Sequence, residues 1–279
     1  MSVLQNITFK FNCIICRKQI RQVFTITRII FVHGIGLDTG EDYWKPWSAA
    51  LAESLKCIEL NVAESSFDGV YYADIYAAVN LIDISHKLQK ERFILQVKNN
   101  AREDMYRQTP FHQRGQIEDV LDNGSKLFGQ MYHYFHDDQV YECINKRLYD
   151  KLASVEDKVH LIGYSLGSLI SFCSLQQRRE LTGKVKNFIM VGCPLFWLRH
   201  GMKLRADLHV KPTLNHFTNV AGILDIAYPQ IVPRYVEGLD EQVKVTVNRY
   251  NPVKGHSAYF DVKTSLNAIA EIIKKYYHE

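Results

Sequence analysis

Two kinds of hydrophobic pattern alternate along the chain. Short, nearly continuous runs of Val, Ile and Phe predict buried strands, and between them apolar residues recur at intervals that place them on one face of a helix. The clearest helical stripe consists of residues spaced four apart: Val140, Ile144, Leu148 and Leu152. This alternation predicts an α/β fold with a mostly parallel central sheet and helices on both faces.

The same patterns predict the individual elements. Strands are expected in the apolar run that begins at Val159 and at 7–15, 22–32, 57–62, 67–76, 185–191, 217–220 and 243–247. Helices are expected directly after Ser165 and at 44–56, 140–152 and 266–277.

One long segment departs from the strand–helix alternation. Residues 81–138 are more polar and helical in pattern, with breaks at Pro110 and at Asn123-Gly124. We interpret this segment as a helical cap inserted before the strand that precedes Ser165. The chain, residues 1–279, is then one domain, with residues 1–21 as an N-terminal extension.

Composition and charge narrow the class of protein. With 47% hydrophobic and 23% charged residues, the chain is globular, and its net charge of +4 gives no reason to expect a nucleic acid partner. The charge is nevertheless uneven, because residues 1–37 contain five basic residues and no acidic one: Lys10, Arg17, Lys18, Arg21 and Arg28. Such a segment is either a solvated edge or a surface for peripheral contact with an anionic membrane.

The sequence predicts a cytoplasmic protein without a metal site or cofactor. No apolar stretch approaches the length of about 18 residues that a transmembrane helix needs, and the N-terminus lacks the features of a signal peptide. The six cysteines are scattered, which favours reduced thiols. Cys13-x-x-Cys16 resembles half of a zinc site, but no second pair completes it, so two ordinary strand cysteines are the better interpretation.

The stretch Gly163-Tyr164-Ser165-Leu166-Gly167 suggests chemistry. A buried strand that ends in Gly-x-Ser-x-Gly and continues as a helix is the pattern of a nucleophile elbow, in which the sharp turn exposes the serine hydroxyl. The turn also directs the N–H of Leu166 toward an oxygen that becomes negative during acyl transfer. The alternative is a glycine-rich turn with an exposed serine.

A serine nucleophile needs a histidine base and an acid that orients the base. His256 lies in a Pro/Gly loop between the last strand and the last helix, and we predict it as the base; the other downstream histidines are His200, His209, His216 and His278. Asp225 follows the strand at 217–220 and a glycine turn, and we predict it as the acid. A turn-capping role is its alternative, and Asp207 and Asp240 are the fallback acids.

A second glycine motif, His33-Gly34-Ile35-Gly36, follows the first central strand. It predicts that the N–H of Ile35 joins that of Leu166 in a two-donor oxyanion hole, with His33 in a structural role. The alternative is a strand-end turn without catalytic contact. Aromatic residues upstream of the elbow line an acyl pocket or, more commonly for such patterns, form plain core; they are Trp44, Trp47, Tyr71, Tyr72, Phe93, Phe111, Phe128, Tyr132, Tyr134 and Phe135.

Together these motifs resemble the α/β-hydrolase superfamily, in its lipase and esterase branch, over residues 22–277. Gly163–Ser168 resembles the branch's GHSLGS elbow, with Tyr164 in place of histidine. Val191-Gly192-Cys193-Pro194-Leu195 is similar to the V-G-S-P-L segment of DDHD-type intracellular lipid hydrolases and their bacterial relatives. Gly255–Phe260 is similar to their histidine-bearing segment, whereas Asp225-Ile226-Ala227 departs from the usual Asp-Pro-Val.

The resemblance implies an α/β-hydrolase fold and a metal-free serine hydrolase that cleaves carboxylic esters, lipid esters among them, through an acyl-enzyme. Two alternatives stay open, because this fold hosts several functions. One is an acyltransferase or lipid-remodelling enzyme with the same three residues. The other is an inactive binding protein, which a Ser165–His256 separation beyond hydrogen-bond reach would indicate.

Overall fold

The structure is a computed structural model. It describes residues 27–35, 40–78, 84–108, 117–118, 121–122, 125–198, 202, 204–223, 225–227, 236–248 and 250–278. The described strands are β1 (Arg28–Val32), β2 (Phe67–Val70), β3 (Val159–Tyr164), β4 (Val185–Val191), β5 (His216–Ile223) and β6 (Glu241–Thr246). The described helices are α1 (Trp44–Cys57), α2 (Ala73–Ala78), α3 (Ile84–Gln108), α4 (Ser125–His136), α5 (Asp138–Ser154), α6 (Leu166–Gln177), α7 (Arg179–Thr182), α8 (Pro252–Ser257) and α9 (Lys263–Tyr276), with short 3-10 segments at Glu64–Ser66 and Pro194–Leu198.

The six strands form one sheet in the order β2-β1-β3-β4-β5-β6, and every neighbouring pair is parallel. The carboxyl ends of all six strands therefore meet at one edge. The predicted mostly parallel sheet is confirmed. The chain passes from β1 to β2 on one side, and β3 lies on the other side of β1. In open α/β sheets, ligands bind at the carboxyl ends of the strands where the connections diverge in this way.

Burial on both faces explains why the central strands are apolar. All six residues of β3 are buried, as expected for a parallel strand covered by helices on both sides. One face packs against α1 and α9, and the other packs against α5 and α6. These two layers form two hydrophobic clusters on opposite sides of the sheet.

Most predicted elements are present, with boundaries that differ by a few residues. The strand expected at 57–62 is wrong: Cys57 is still the last residue of α1, and the main chain then turns, with Glu59 at a φ of 63° and the N–H of Leu60 bonded to the Leu55 carbonyl. The strand expected at 67–76 is only β2, because the chain enters α2 at Ala73. The prediction at 7–15, the first part of 22–32 and the N-terminal extension at 1–21 lie outside the described residues.

The helical character of the segment before β3 is confirmed for its described parts, α3 and α4. These two helices pack against each other, and the rings of Phe93 and Tyr132 meet edge to face with centroids 5.6 Å apart. Pro110 and Asn123-Gly124 lie outside the described residues. None of the helices in the described part of the chain combines the length and the hydrophobicity that a membrane span requires.

Candidate active site

Ser165 occupies the sharp turn between β3 and α6. Its backbone has a φ of 51° and a ψ of −123°, a conformation that residues other than glycine rarely adopt. The surrounding chain holds it there: the Ser165 N–H donates to the Val191 carbonyl at 2.9 Å, and the Ser165 carbonyl accepts from the Ser168 N–H at 2.9 Å. This strained turn has the backbone geometry expected of a nucleophile elbow. The expectation that the turn exposes the serine hydroxyl is wrong, because the surrounding chain leaves only 2% of Ser165 exposed.

The glycines on either side of Ser165 are required by close backbone contacts. A Cβ atom on Gly163 would lie 2.7 Å from the Cα of Ser168. One on Gly167 would lie 2.2 Å from the carbonyl oxygen of Val32 and 2.4 Å from that of His33. The helix after the elbow therefore starts directly against the end of β1, which only a residue without a side chain permits.

The structure brings Ser165, His256 and Asp225 together. The Ser165 Oγ atom lies 2.9 Å from Nε2 of His256, and Nδ1 of His256 lies 2.8 Å from Oδ1 of Asp225. In the tautomer that satisfies both contacts, Nδ1–H donates to the carboxylate and Nε2 accepts from the serine hydroxyl. The three polar groups thus form one continuous chain of hydrogen bonds.

Asp225 is nearly inaccessible to solvent, with 3% of its surface exposed, and donors occupy both of its oxygens. Oδ1 accepts from the Ala227 N–H at 2.8 Å in addition to His256. Oδ2 accepts from the Tyr259 hydroxyl at 2.5 Å. A buried carboxylate requires such compensation, since an unpaired charge in this environment is strongly unfavourable.

His256 does not lie in an irregular loop, as the Pro/Gly pattern suggested, but on the short helix α8. The Asn251 side chain caps this helix by accepting from the N–H groups of Val253 and Lys254, each at 3.0 Å. Pro252 is compatible with the first helical position, because no intrahelical partner is needed there. The Tyr164 hydroxyl also donates to the His256 carbonyl at 2.7 Å, which ties the elbow to α8.

The end of β1 passes directly beside the elbow. A Cβ atom on Gly34 would lie 2.7 Å from the Cβ of Ser165, so the main chain that leaves β1 at Gly34 is in close contact with the serine. His33 is buried and bonded on both nitrogens, with Nδ1 2.5 Å from the Gly34 carbonyl and Nε2 accepting from the Tyr72 N–H at 3.2 Å. Burial lowers the pKa of His33 to about 4, so the ring is neutral at pH 7. Gly36 lies outside the described residues.

The other candidate residues lie in different surroundings. Asp240 accepts from the Phe217 N–H at 2.8 Å and pairs with Lys211, whereas Asp207 accepts from the N–H of His209 at 3.0 Å. The His216 ring stacks on Tyr276 with centroids 3.8 Å apart. His278 follows α9, and His200 lies outside the described residues.

Most of the aromatic residues upstream of the elbow pack in the hydrophobic core. Buried examples are Tyr72, Phe93, Phe128, Tyr132, Tyr134 and Phe135. Trp44, Trp47 and Tyr71 are partly buried against the cluster on the α1 side, and Phe111 lies outside the described residues. Core packing is therefore the better interpretation for the described ones.

Two residues at the site were not identified as site residues from the sequence. Gly192, directly after β4, has a φ of 57°, and a Cβ atom there would lie 2.8 Å from the Tyr259 ring and 3.0 Å from Oδ2 of Asp225. Tyr259 donates to Asp225 from a fully buried position. Both belong to segments with a family resemblance, but their roles depend on contacts between distant segments, which sequence patterns do not report.

The order of the strands and of these three side chains along the chain identifies the fold. A serine on the turn after β3, a carboxylate after β5 and a histidine after β6 follow one another in the chain order serine, acid, histidine at the carboxyl edge of a parallel sheet. This is the α/β-hydrolase architecture, and the predicted fold class is confirmed.

Comparisons with known proteins find only distant structural similarity. No protein-family model matches the chain, and no curated protein matches it. Among solved structures, the chain is similar to Est1E from Butyrivibrio proteoclasticus (TM-score 0.43, 10% identity, 92% of this chain and 90% of that one). It is also similar to the pyrethroid hydrolase PytH, with a TM-score of 0.41 and 12% identity over 90% of this chain and 97% of that one. A third similar structure is described as a cell surface hydrolase from Lactobacillus plantarum WCFS1, with a TM-score of 0.38 and 13% identity over 91% of this chain and 92% of that one.

Proposed function

We propose that the protein is a serine hydrolase that cleaves carboxylic esters through an acyl-enzyme. The observation that carries this proposal is the unbroken chain of hydrogen bonds from the Ser165 hydroxyl through His256 to Asp225. A serine hydroxyl is a weak nucleophile at neutral pH, and this arrangement supplies the base that activates it and the acid that orients the base. The separation beyond hydrogen-bond reach that would favour an inactive binding protein is not found.

In the first half of the reaction, Ser165 Oγ attacks the ester carbonyl carbon while its proton passes to Nε2 of His256. The buried carboxylate of Asp225 stabilises the resulting imidazolium. The tetrahedral intermediate then collapses, the bond to the alcohol breaks, and His256 returns the proton to the departing alkoxide. The acyl group remains on Ser165 as an ester.

In the second half, His256 takes a proton from water, and the hydroxide attacks the acyl carbon. Collapse of the second tetrahedral intermediate restores the serine hydroxyl with the proton from His256 and releases the carboxylic acid. No cofactor enters either half. The products balance, since one water is consumed for each ester cleaved.

The negative oxygen of both intermediates requires donors that are already in position. We propose the N–H groups of Leu166 and Ile35 for this role. Leu166 is the first residue of α6, where N–H groups lack partners within the helix and the helix dipole favours negative charge. A Cβ atom on Gly34 would lie 2.7 Å from the Cβ of Ser165, and Ile35 is the next residue in the chain. Because Ser165 is only 2% exposed, these interactions act with little competition from water.

We further propose that the substrates include lipid esters, as the resemblance to DDHD-type hydrolases implies. We also propose that the protein is cytoplasmic and contacts membranes peripherally. Of the five basic residues in 1–37, only Arg28 lies in the described part, where it contacts the Ser65 carbonyl at 2.5 Å and lies 3.9 Å from Asp157. The membrane proposal therefore depends on the four basic residues before β1.

A fluorophosphonate probe tests the proposal directly, because it reacts preferentially with activated serines. We expect labelling of the folded protein at Ser165, located by peptide mass spectrometry, and hydrolysis of p-nitrophenyl esters. A chain-length series from acetate to palmitate then separates short esters from lipid esters. Folded protein that stays unlabelled would contradict the proposal, and a transfer product that exceeds hydrolysis in the presence of an acceptor alcohol would favour the acyltransferase.

A further inference from the structure

Tyr259 makes an unusual pair of contacts beside the site. Its ring is completely buried, and its hydroxyl donates to Oδ2 of Asp225 at 2.5 Å. The hydroxyl oxygen of Tyr259 in turn accepts from the Gly222 N–H at 2.5 Å. Because the N–H of Gly222 occupies a lone pair of the hydroxyl, the phenolic proton is directed toward the carboxylate. Tyr259 also lies only three residues after His256, so one short segment carries both the imidazole and a donor to its partner acid.

The surroundings keep this phenol in its donor form. Burial raises the pKa of Tyr259 well above 10, and the negative charge of Asp225 raises it further. The hydroxyl therefore stays protonated throughout the pH range in which an imidazole base operates. A neutral donor to a buried carboxylate is a strong hydrogen bond, and its loss leaves a charged oxygen without a partner.

We propose that Tyr259 is a positioning residue that sets the orientation and basicity of Asp225 for the hydrolase proposed above. A carboxylate rotates readily about its terminal torsion. Here the Ala227 N–H holds Oδ1 and Tyr259 holds Oδ2, so that Oδ1 faces Nδ1 of His256. The Tyr259 hydroxyl also draws negative charge toward Oδ2, which limits the proton affinity of the Asp225–His256 pair.

The variant Tyr259→Phe removes one oxygen atom and tests this role. We expect kcat for a p-nitrophenyl ester to fall by about 10- to 100-fold, the range for loss of one charge-assisted hydrogen bond, with KM nearly unchanged. The acidic limb of the kcat/KM profile should move to higher pH, because the pair then binds its proton more tightly. An unchanged profile with unchanged kcat overturns the proposal.

Tyr134→Phe is the matched control. Tyr134 is equally buried, and its hydroxyl donates to Oδ1 of Asn145 at 2.9 Å, in the core and without contact to the three site residues. This control should reproduce any general effect of removing a buried hydroxyl and leave the pH profile in place. If the acidic limb of the kcat/KM profile moves equally in Tyr259→Phe and Tyr134→Phe, the positioning role is overturned.

A double-mutant cycle with Asp225→Asn tests whether Tyr259 acts through Asp225. If it does, Tyr259→Phe has little further effect on kcat in the Asp225→Asn background, whereas multiplicative losses overturn the proposal. Should Tyr259→Phe fail to fold, the double variant should recover secondary structure at least in part. The Gly222 N–H lacks its acceptor in both variants, but a charged oxygen is left unpaired only in the single variant. A double variant without any recovery makes Tyr259 a packing residue and overturns the role.

The cycle also separates this proposal from the proposed function. Fluorophosphonate labelling of the wild type tests the hydrolase by itself. Thermal unfolding midpoints of the same four proteins report the Tyr259–Asp225 coupling without any need for activity. Non-additive midpoints support the contact even in an unlabelled protein, and additive midpoints overturn it even in an active one.

Discussion

The hydroxyl oxygen of Ser165 lies 2.9 Å from Nε2 of His256, although the two residues are 91 positions apart in the chain. The contact depends on three features of the fold. The elbow turns Ser165 out of β3, the last strand leads into α8, and Tyr164 bonds the carbonyl of His256. The position of the imidazole is therefore set by its main chain as well as by Asp225.

Replacement of Ser165 by alanine should abolish ester hydrolysis. Loss of the nucleophile in serine hydrolases typically lowers kcat by about 10⁴-fold or more, because only the oxyanion donors and substrate binding remain. Initial rates with p-nitrophenyl butyrate and the loss of fluorophosphonate labelling provide the measurement.

Ser174→Ala is the control for that experiment. Ser174 lies in α6, the helix that follows Ser165, but its hydroxyl donates to Oδ1 of Asn145 in the core. This variant should keep its activity and its labelling. Activity that survives in Ser165→Ala at wild-type level would refute the nucleophile assignment.

Replacing the carboxylates by amides tests whether Asp225, and not Asp240, is the acid that orients His256. Asp225→Asn should lower kcat by about 10³- to 10⁴-fold, because the amide favours the wrong imidazole tautomer and no longer stabilises the imidazolium. Asp240→Asn should leave kcat close to that of the wild type, since Asp240 bonds the Phe217 N–H and Lys211. Steady-state kinetics on both variants decide between them, and the opposite ranking would contradict the assignment.

Gly192 creates the space in which the acid, the base and Tyr259 meet. Gly192→Ala should lower kcat at least tenfold and destabilise the fold by about 1–2 kcal/mol, since alanine at a φ of 57° is strained and its Cβ atom would lie 3.3 Å from Cε1 of His256. Activity assays and thermal unfolding measure the two effects.

Gly183→Ala is a matched control for that variant. Gly183 has an ordinary helical φ of −60°, and a Cβ atom there would meet nothing within 4 Å. Its activity and unfolding midpoint should equal or exceed those of the wild type. If Gly192→Ala behaves in the same way as Gly183→Ala, the close packing around Asp225 is not required.

Stability should depend on pH through His33. Burial lowers its pKa in the folded protein to about 4, below the usual value of 6.5. Between these values the unfolded chain binds more protons, so the free energy of unfolding should fall as the pH falls from 6.5 to 4, by up to about 3 kcal/mol. Urea unfolding across this range gives the slope.

His33→Gln tests the origin of that slope. The variant should lose less stability than the wild type between pH 6.5 and 4, whatever its stability at pH 7. Some slope should persist, because burial also lowers the pKa of His160, to about 3. Identical slopes in the two proteins would show that His33 does not contribute.

Sequence patterns were most informative where the physical cause is local. The strand at 185–191 was predicted with its observed boundaries, and the elbow was recognised because glycine spacing and a strand-to-helix change occur within a few residues. The sequence pattern predicted a strand at 57–62, but this stretch contains the end of α1 and the turn that follows it. A short apolar run does not by itself distinguish a strand from the end of a helix.

By itself, the sequence determined the class of fold and the short list of residues from which a site can be built, because burial periodicity and turn chemistry act over a few neighbouring positions. Only the tertiary structure decided which of three carboxylates meets His256 and that Tyr259 and Gly192 complete its surroundings. These choices depend on distances between segments that approach one another only when the parallel sheet aligns the ends of its strands.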